Sequence, residues 1–228
     1  MCGRFILVAK AKDLAQHFGI PLGEALALCQ ADEVARLNIA PTQNILIVRA
    51  EAGTRHLAQG RWGLVPSWAK SLQDVRLTFN ARVETAAKLP TFRSAWKKRR
   101  CLVPASGFWE WQDVGAKKKV KHRITSMAEP FLAFAGLWDS WTNPLDGEVV
   151  ESATILTTAA AGPVSTIHSR MPVLVDRSDW DAWLDETTPD PARLHSLDPQ
   201  WQADRLRVEP AEPPPPARPV QGTLWDEG

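Results

Sequence analysis

Residues 101–112 read CLVPASGFWEWQ, an apolar and aromatic run that carries one carboxylate, Glu110, between Trp109 and Trp111. Read as a strand, it heads a succession. KVKHRIT (119–125), PFLAFAGLWDSW (130–141), SATILTTAA (152–160) and MPVLV (171–175) follow as further strands, with the turn signal N-P-L-D-G at 143–147 between two of them. Upstream, ILIVRA (45–50) reads as a buried strand and Thr54 to Val65 as another, with Gly60 and Gly63 as bends or points of close approach. Helical spacing is confined to short pieces: AKDLAQHFGI (11–20), GEALALC from Gly23, a basic stretch over 95–100, and RSDWDAWLD from Arg177 with Ser178 as its candidate N-cap. There is no βαβ alternation and no glycine-rich nucleotide loop. The predicted fold is therefore α+β: mostly antiparallel, curved β-sheets with a barrel-like core and a few flanking short helices.

Two segments are expected. Residues 1–208 form one domain, and 209–228 a flexible tail whose four-proline run (213–216) favours extended polyproline II. No apolar run reaches the length of a membrane span, and no secretory signal pattern is present, so a cytoplasmic protein is expected. The three cysteines, at 2, 29 and 101, give neither a paired framework nor a metal spacing, and the five histidines are scattered, so no metal and no cofactor is predicted.

The net charge of +1 conceals a split. Residues 1–126 hold 21 Lys+Arg against 9 Asp+Glu, whereas 127–228 hold 6 against 17. A basic front half suits a phosphate-binding surface, or it neutralises the acidic half across one core. Eleven Trp and no Tyr point to a tryptophan-rich core, with a few rings beside Gly, Pro and Arg available for stacking on bases.

The candidate chemistry lies in a few places. In MCGRF (1–5), removal of Met1 leaves Cys2 with an α-amine and a thiol on adjacent carbons, a 1,2-aminothiol that no other terminal residue provides; the plain alternative is a tolerant second position. Burial of Glu110 would raise its pKa and suit it to proton transfer near neutrality; alternatively Phe108, Glu110 and Gln112 share a face turned to water. His168, in a loop before a strand, is a tunable imidazole or a satisfied structural one. Asn80 either holds the terminal cysteine or caps a turn. Arg82 either binds phosphate through its forked donors or pairs with Glu84.

MCGRF, NIAPTQ (38–43), WGLVPSW (62–68), NARVET (80–85), RCLVPASGFWEW (100–111), AGLWDSW (135–141) and IHSRMPVLV (167–175) resemble, in order, the motifs of the SRAP (SOS-response-associated peptidase) family. The resemblance runs from residue 2 to about 185, and Val83 stands where a small polar residue is expected. It implies covalent capture of abasic sites in single-stranded DNA. The Cys2 amine would form a Schiff base with the C1′ aldehyde of the opened sugar, and the thiol would close a thiazolidine ring. By resemblance, Asn80 orients Cys2, Glu110 is the general acid/base, and His168 stabilises the opened sugar oxygen or relays its proton. Arg4 and Arg82 would hold flanking phosphates, and Arg170 joins the DNA-contacting set. Trp68, with Pro41 and Pro66 nearby, would be an apolar wedge or stacking surface.

Glutamine amidotransferases with an N-terminal nucleophile also begin Met-Cys-Gly; against them stand the basic front half and the absence of a glutamine-gripping motif. A second rival is a non-covalent binder of single-stranded DNA. In the tail, Gln221–Trp225 (QGTLW) resembles the short peptide that replication proteins insert into the sliding clamp, and its alternative is a tail folded back on its own domain. A monomer associated with the nucleoid is expected.

Overall fold

The computed structural model describes residues 2–30, 32–72, 75–188 and 191–211. The proline run and Gln221–Trp225 therefore lie outside the described residues. In chain order the strands are β1 (Phe5–Lys10), β2 (Glu33–Ile39), β3 (Asn44–Glu51), β4 (Thr54–Trp62), β5 (Asn80–Arg82), β6 (Arg100–Ala105), β7 (Gly107–Asp113), β8 (Lys119–Ser126), β9 (Leu132–Thr142), β10 (Val149–Ala159), β11 (Arg170–Pro172) and β12 (Leu206–Pro210). The α-helices are α1 (Ala11–Phe18), α2 (Leu22–Leu28), α3 (Val83–Ala86), α4 (Arg93–Lys98), α5 (Trp180–Leu184) and α6 (Pro199–Ala203).

One sheet is an antiparallel row, β12-β8-β7-β1-β2. In the other, β10-β4-β3-β6-β9 closes on itself because β9 also pairs with β10, giving a barrel. Among the described residues, only the pairings of β10 with β4 and β5 are parallel. Both lie on one edge of β10: β4 meets it at Ser152 and Ala153, then the chain leaves, and β5 resumes at Ile155 to Thr157. The loop 63–79, which carries Pro66 and Trp68, is thus an excursion between two parallel pairings. Gly63 opens it at φ 140°, where a Cβ would stand 2.5 Å from Leu77 Cδ1.

The predicted class holds, and three local expectations change. CLVPASGFWEWQ is two strands, not one: β6 belongs to the barrel and β7 to the row, with the chain crossing at Ser106. Gly107 permits the crossing, since a Cβ there would lie 2.6 Å from Ile124 O. The helix after Val175 is capped by Asp176, whose carboxylate accepts from Ser178 N at 3.0 Å and Ser178 Oγ at 2.6 Å. It opens with a 3₁₀ turn, Arg177–Asp179. The basic helix α4 begins at Arg93 and ends at Lys98, so Arg100 is already strand.

Where the row packs on the barrel, aromatic rings meet edge to face. Phe5 contacts Trp62 (centroids 5.2 Å) and Phe134 (5.9 Å), and Phe108 contacts Phe134 (5.9 Å). Trp62 also meets Phe79 at 5.9 Å and donates its indole N–H to Phe79 O at 2.8 Å. Cys2, Glu110 and Asn80 lie within three residues of Phe5, Phe108 and Phe79 respectively, so packing this cluster brings them together.

Candidate active site

Cys2 is fully buried just before β1. Burial pushes its thiol well above the usual range and the Glu110 charge adds to the rise, against the charge of the chain's amino terminus and a hydrogen bond from the Arg4 backbone. Asn80 opens β5 opposite Ile155, and its Nδ2 donates to Cys2 O at 2.8 Å. Its Oδ1 is buried with no hydrogen-bond partner among the described residues.

Strand alternation settles the direction of Glu110. Phe108 and Glu110 on β7 face inward with their opposite numbers Ile124 and His122 on β8, and Glu110 is 3% exposed. Burial raises its pKa to about 7, against the lowering effects of the amino-terminal charge and a hydrogen bond from the Trp111 backbone. Its Oε1 likewise has no hydrogen-bond partner among the described residues. His168 lies between a 3₁₀ turn (Gly162–Thr166) and β11. Its Nδ1 is 2.9 Å from Arg170 N and 3.0 Å from Arg170 O, so that nitrogen is satisfied in either tautomer. Burial lowers its pKa, as do the amino-terminal charge and Lys119, while the hydrogen bond to Arg170 raises it. The charge of the amino terminus is among the causes of all three shifts, those of Cys2, Glu110 and His168.

Of the predicted phosphate ligands, Arg82 is exposed at the end of β5, and Arg4 is half-buried with Nη1 donating to Gly3 O at 2.9 Å. Arg170 is engaged internally: its guanidinium makes a bidentate pair with Glu84 (2.7 and 2.9 Å) and donates to Thr157 O. Glu84 therefore pairs with Arg170, which joins the end of the Asn80 strand to the His168 turn. Pro41 is half-buried in the turn before β3, and Pro66 is buried, whereas Trp68 is 62% exposed.

The Trp68 loop is held by groups to which the sequence reading gave no role. Val65 N donates to Ser152 Oγ (2.8 Å), Ser67 N to Asp139 Oδ2 (3.0 Å), and Trp141 Nε1 to Ala69 O (2.7 Å). Asp139 Oδ1 in turn accepts from Arg99 Nη2 at 3.0 Å and Ser140 N at 2.9 Å. An exposed ring on a backbone fixed this way loses little freedom on stacking. Asp139 had a signal: like Glu110, it is a carboxylate inside a tryptophan-rich strand. His122 also had one, since the alternation in KVKHRIT places it on the face of buried Ile124. Among the described residues no group of three or more His, Cys, Asp or Glu could hold a metal ion, and no helix is long and apolar enough to cross a membrane.

A family model described as SOS response associated peptidase (SRAP) matches residues 1–213. The chain is 35% identical over 208 residues to the abasic site processing protein YoqW of Bacillus subtilis (strain 168), covering 91% of each. It is 34% identical over 158 residues to the abasic site processing protein HMCES of Gallus gallus, covering 60% of this chain and 47% of that one. A crystal structure of a protein from Bacteroides thetaiotaomicron shares the fold, with TM-score 0.80 and 24% identity over 92% of both chains.

Proposed function

The chain belongs to the SOS response associated peptidase (SRAP) family, and from that premise we propose that it recognises abasic sites in single-stranded DNA and captures them covalently through Cys2. The relatives named for abasic site processing support the recognition of abasic sites. The observation that carries the chemistry is the pair of buried oxygens without partners, Asn80 Oδ1 and Glu110 Oε1, beside a buried Cys2. These two are acceptors on the groups that flank Cys2, and they leave hydrogen-bonding capacity there for an incoming amine or sugar hydroxyl.

Removal of Met1 frees the Cys2 amine. A useful fraction of it is neutral at pH 7, since a typical α-amino pKa is about 7.7–8.0. The opened sugar of an abasic site presents a C1′ aldehyde. The amine adds to it, water leaves, and a Schiff base forms; the thiol sulfur then adds to the imine carbon, its proton going to nitrogen, and a thiazolidine closes. Glu110, titrating near 7, gives a proton to the departing hydroxyl and takes one from the thiol, whose burial keeps it protonated until it reacts. Asn80 holds the Cys2 carbonyl through Nδ2 and offers Oδ1 to the amine. His168 relays the proton of the sugar oxygen. Trp68 stacks beside the lesion, and Arg4 and Arg82 hold phosphates.

Intact-mass analysis after mixing with abasic single-stranded DNA tests this. The expected product is protein plus strand minus one water, located on the N-terminal peptide and absent with uracil-containing DNA. Retained methionine on active protein, or undiminished capture after the leading amine is blocked, would overturn it. On this reading the family's peptidase label corresponds to self-processing that exposes Cys2, and one chain suffices for the chemistry. Gln221–Trp225 would tether the protein to the sliding clamp within the nucleoid, raising its local concentration at stalled forks. Equal clamp affinity by calorimetry with and without that segment would remove the tether.

A further inference from the structure

The alternation that turns Glu110 inward turns Trp109 and Trp111 to the other face of β7. Across the ladder Trp109 stands opposite Arg123, and Trp111 opposite Lys121. The Lys121 ammonium is 3.8 Å from the Trp109 ring centroid and 5.6 Å from that of Trp111, within cation–π range. Trp109 is fixed at its indole N–H, which donates to Leu37 O at 2.9 Å. Its backbone N–H donates to Arg4 O at 3.0 Å, so Arg4, the neighbour of inward-facing Phe5, shares the outer face with Trp109.

At the other end of the hairpin, Lys117, Lys118 and Lys119 are consecutive and exposed. This turn adjoins the candidate site. Gln112 Nε2 donates to Thr166 O at 3.1 Å, which ties β7 to the turn before His168. The Lys119 charge is also among the lesser causes, behind burial, that lower the His168 pKa. Two carboxylates share this face: Asp113, which stands opposite Lys119 across the ladder and accepts from the Gly115 N–H, and Glu209 on β12, which stands beside Arg123. Against them are Lys117, Lys118, Lys119, Lys121 and Arg123, so the hairpin keeps an excess of positive charge.

We propose that the outer face of the β7–β8 hairpin is a second contact surface for single-stranded DNA, which carries the strand away from the lesion with Lys117–Lys119 on phosphates and Trp109 and Trp111 on bases. This rests on the reading of the neighbouring site as one that binds abasic DNA. Charge complementarity selects a polyanion. The spacing selects a single strand, because residues two apart on β7 are about 7 Å apart, about twice the 3.4 Å rise per base in a duplex strand. A base that stacks on either indole exchanges one π-face contact for another and releases the Lys121 ammonium to an adjacent phosphate.

The test uses Cys2→Ala protein, which reads non-covalent affinity alone, in fluorescence anisotropy across a salt series. The probes are single strands with a central abasic analogue: one with about two nucleotides on each side, others extended by about eight nucleotides on one side or the other. Replacing Lys117, Lys118 and Lys119 together by Gln should make the plot of log K against log salt shallower by about 2 on the strand extended to one side, at about 0.7 for each phosphate that is no longer neutralised. The short strand should show no change. Trp111→Ala should weaken the same extended strand roughly 5- to 150-fold. An unchanged slope, an equal effect on short and extended strands, or an equal effect with blunt duplex would each overturn the proposal. If the extended-strand dependence appears while unaltered protein yields no covalent product, the surface stands and the capture reading fails.

Discussion

Two carboxylates sit inside tryptophan-rich strands of this chain: Glu110 in FWEW and Asp139 in LWDSW. Both are almost wholly buried, at 3% and 2% exposure. Their surroundings are opposite. Asp139 spends both oxygens on Arg99, Ser67 N and Ser140 N, and fixes a loop. Glu110 keeps one oxygen without a partner and is pushed up to about 7. Burial of a carboxylate does not by itself mark chemistry. What separates a strut from a candidate acid/base is whether its hydrogen-bonding capacity is used up.

Neutral amides at the two positions should give opposite phenotypes. Glu110→Gln should slow capture of abasic strands at saturating DNA by about 10²- to 10⁴-fold, the usual worth of a general acid/base, while the fold stays at least as stable. Quench-flow on denaturing gels checks the rate. A variant that captures at the normal rate would sink the assignment. Asp139→Asn should do the reverse. Removing one partner of a largely buried pair leaves Arg99 uncompensated and should cost about 2–4 kcal/mol in urea unfolding, with the saturated capture rate preserved.

Acidity offers a second, graded measure of the same difference. The folded pKa of Glu110 lies above its ordinary 4.5, so between about 4.5 and 7 the native state holds a proton that the unfolded state has released. Stability should therefore fall as pH rises through that window, by up to about 3 kcal/mol relative to Glu110→Gln. Urea titrations of both proteins at several pH values measure it, and parallel curves would contradict the raised pKa. Near-neutral pH–rate profiles should show an inflection around 7 that is absent in Glu110→Gln. The smallest expected effects concern the loop that Asp139 anchors. Trp68→Ala should weaken binding by about 1–3 kcal/mol without lowering the melting temperature, whereas Ser152→Ala should cost roughly 1 kcal/mol of stability.

Sequence patterning conveyed the fold class because burial and pairing impose short periods. AKDLAQHF forms α1 and closes at Gly19 in the left-handed region, and N-P-L-D-G turns between β9 and β10. Patterning failed where a local signal was satisfied in two ways. CLVPASGFWEWQ is continuous in hydrophobicity, yet the chain changes sheets at Ser106, and only the close approach of Gly107 to Ile124 O reveals why. Ser178 and Asp176 are both good capping residues. The carboxylate took the backbone N–H, and the hydroxyl became its donor.

Read as letters alone, the chain establishes which residue types are on hand: a cysteine behind the first methionine, carboxylates in apolar strands, and a front half rich in cations. How they are used is a matter of folding. Asn80 meets Cys2 across 78 residues of chain, and Glu84 pairs with Arg170 rather than Arg82. Arg99 reaches Asp139, but among the described residues no cation reaches Glu110 Oε1. Periodicity is a property of neighbours along the chain, whereas the satisfaction of a buried charge depends on groups that folding alone brings within about 3 Å.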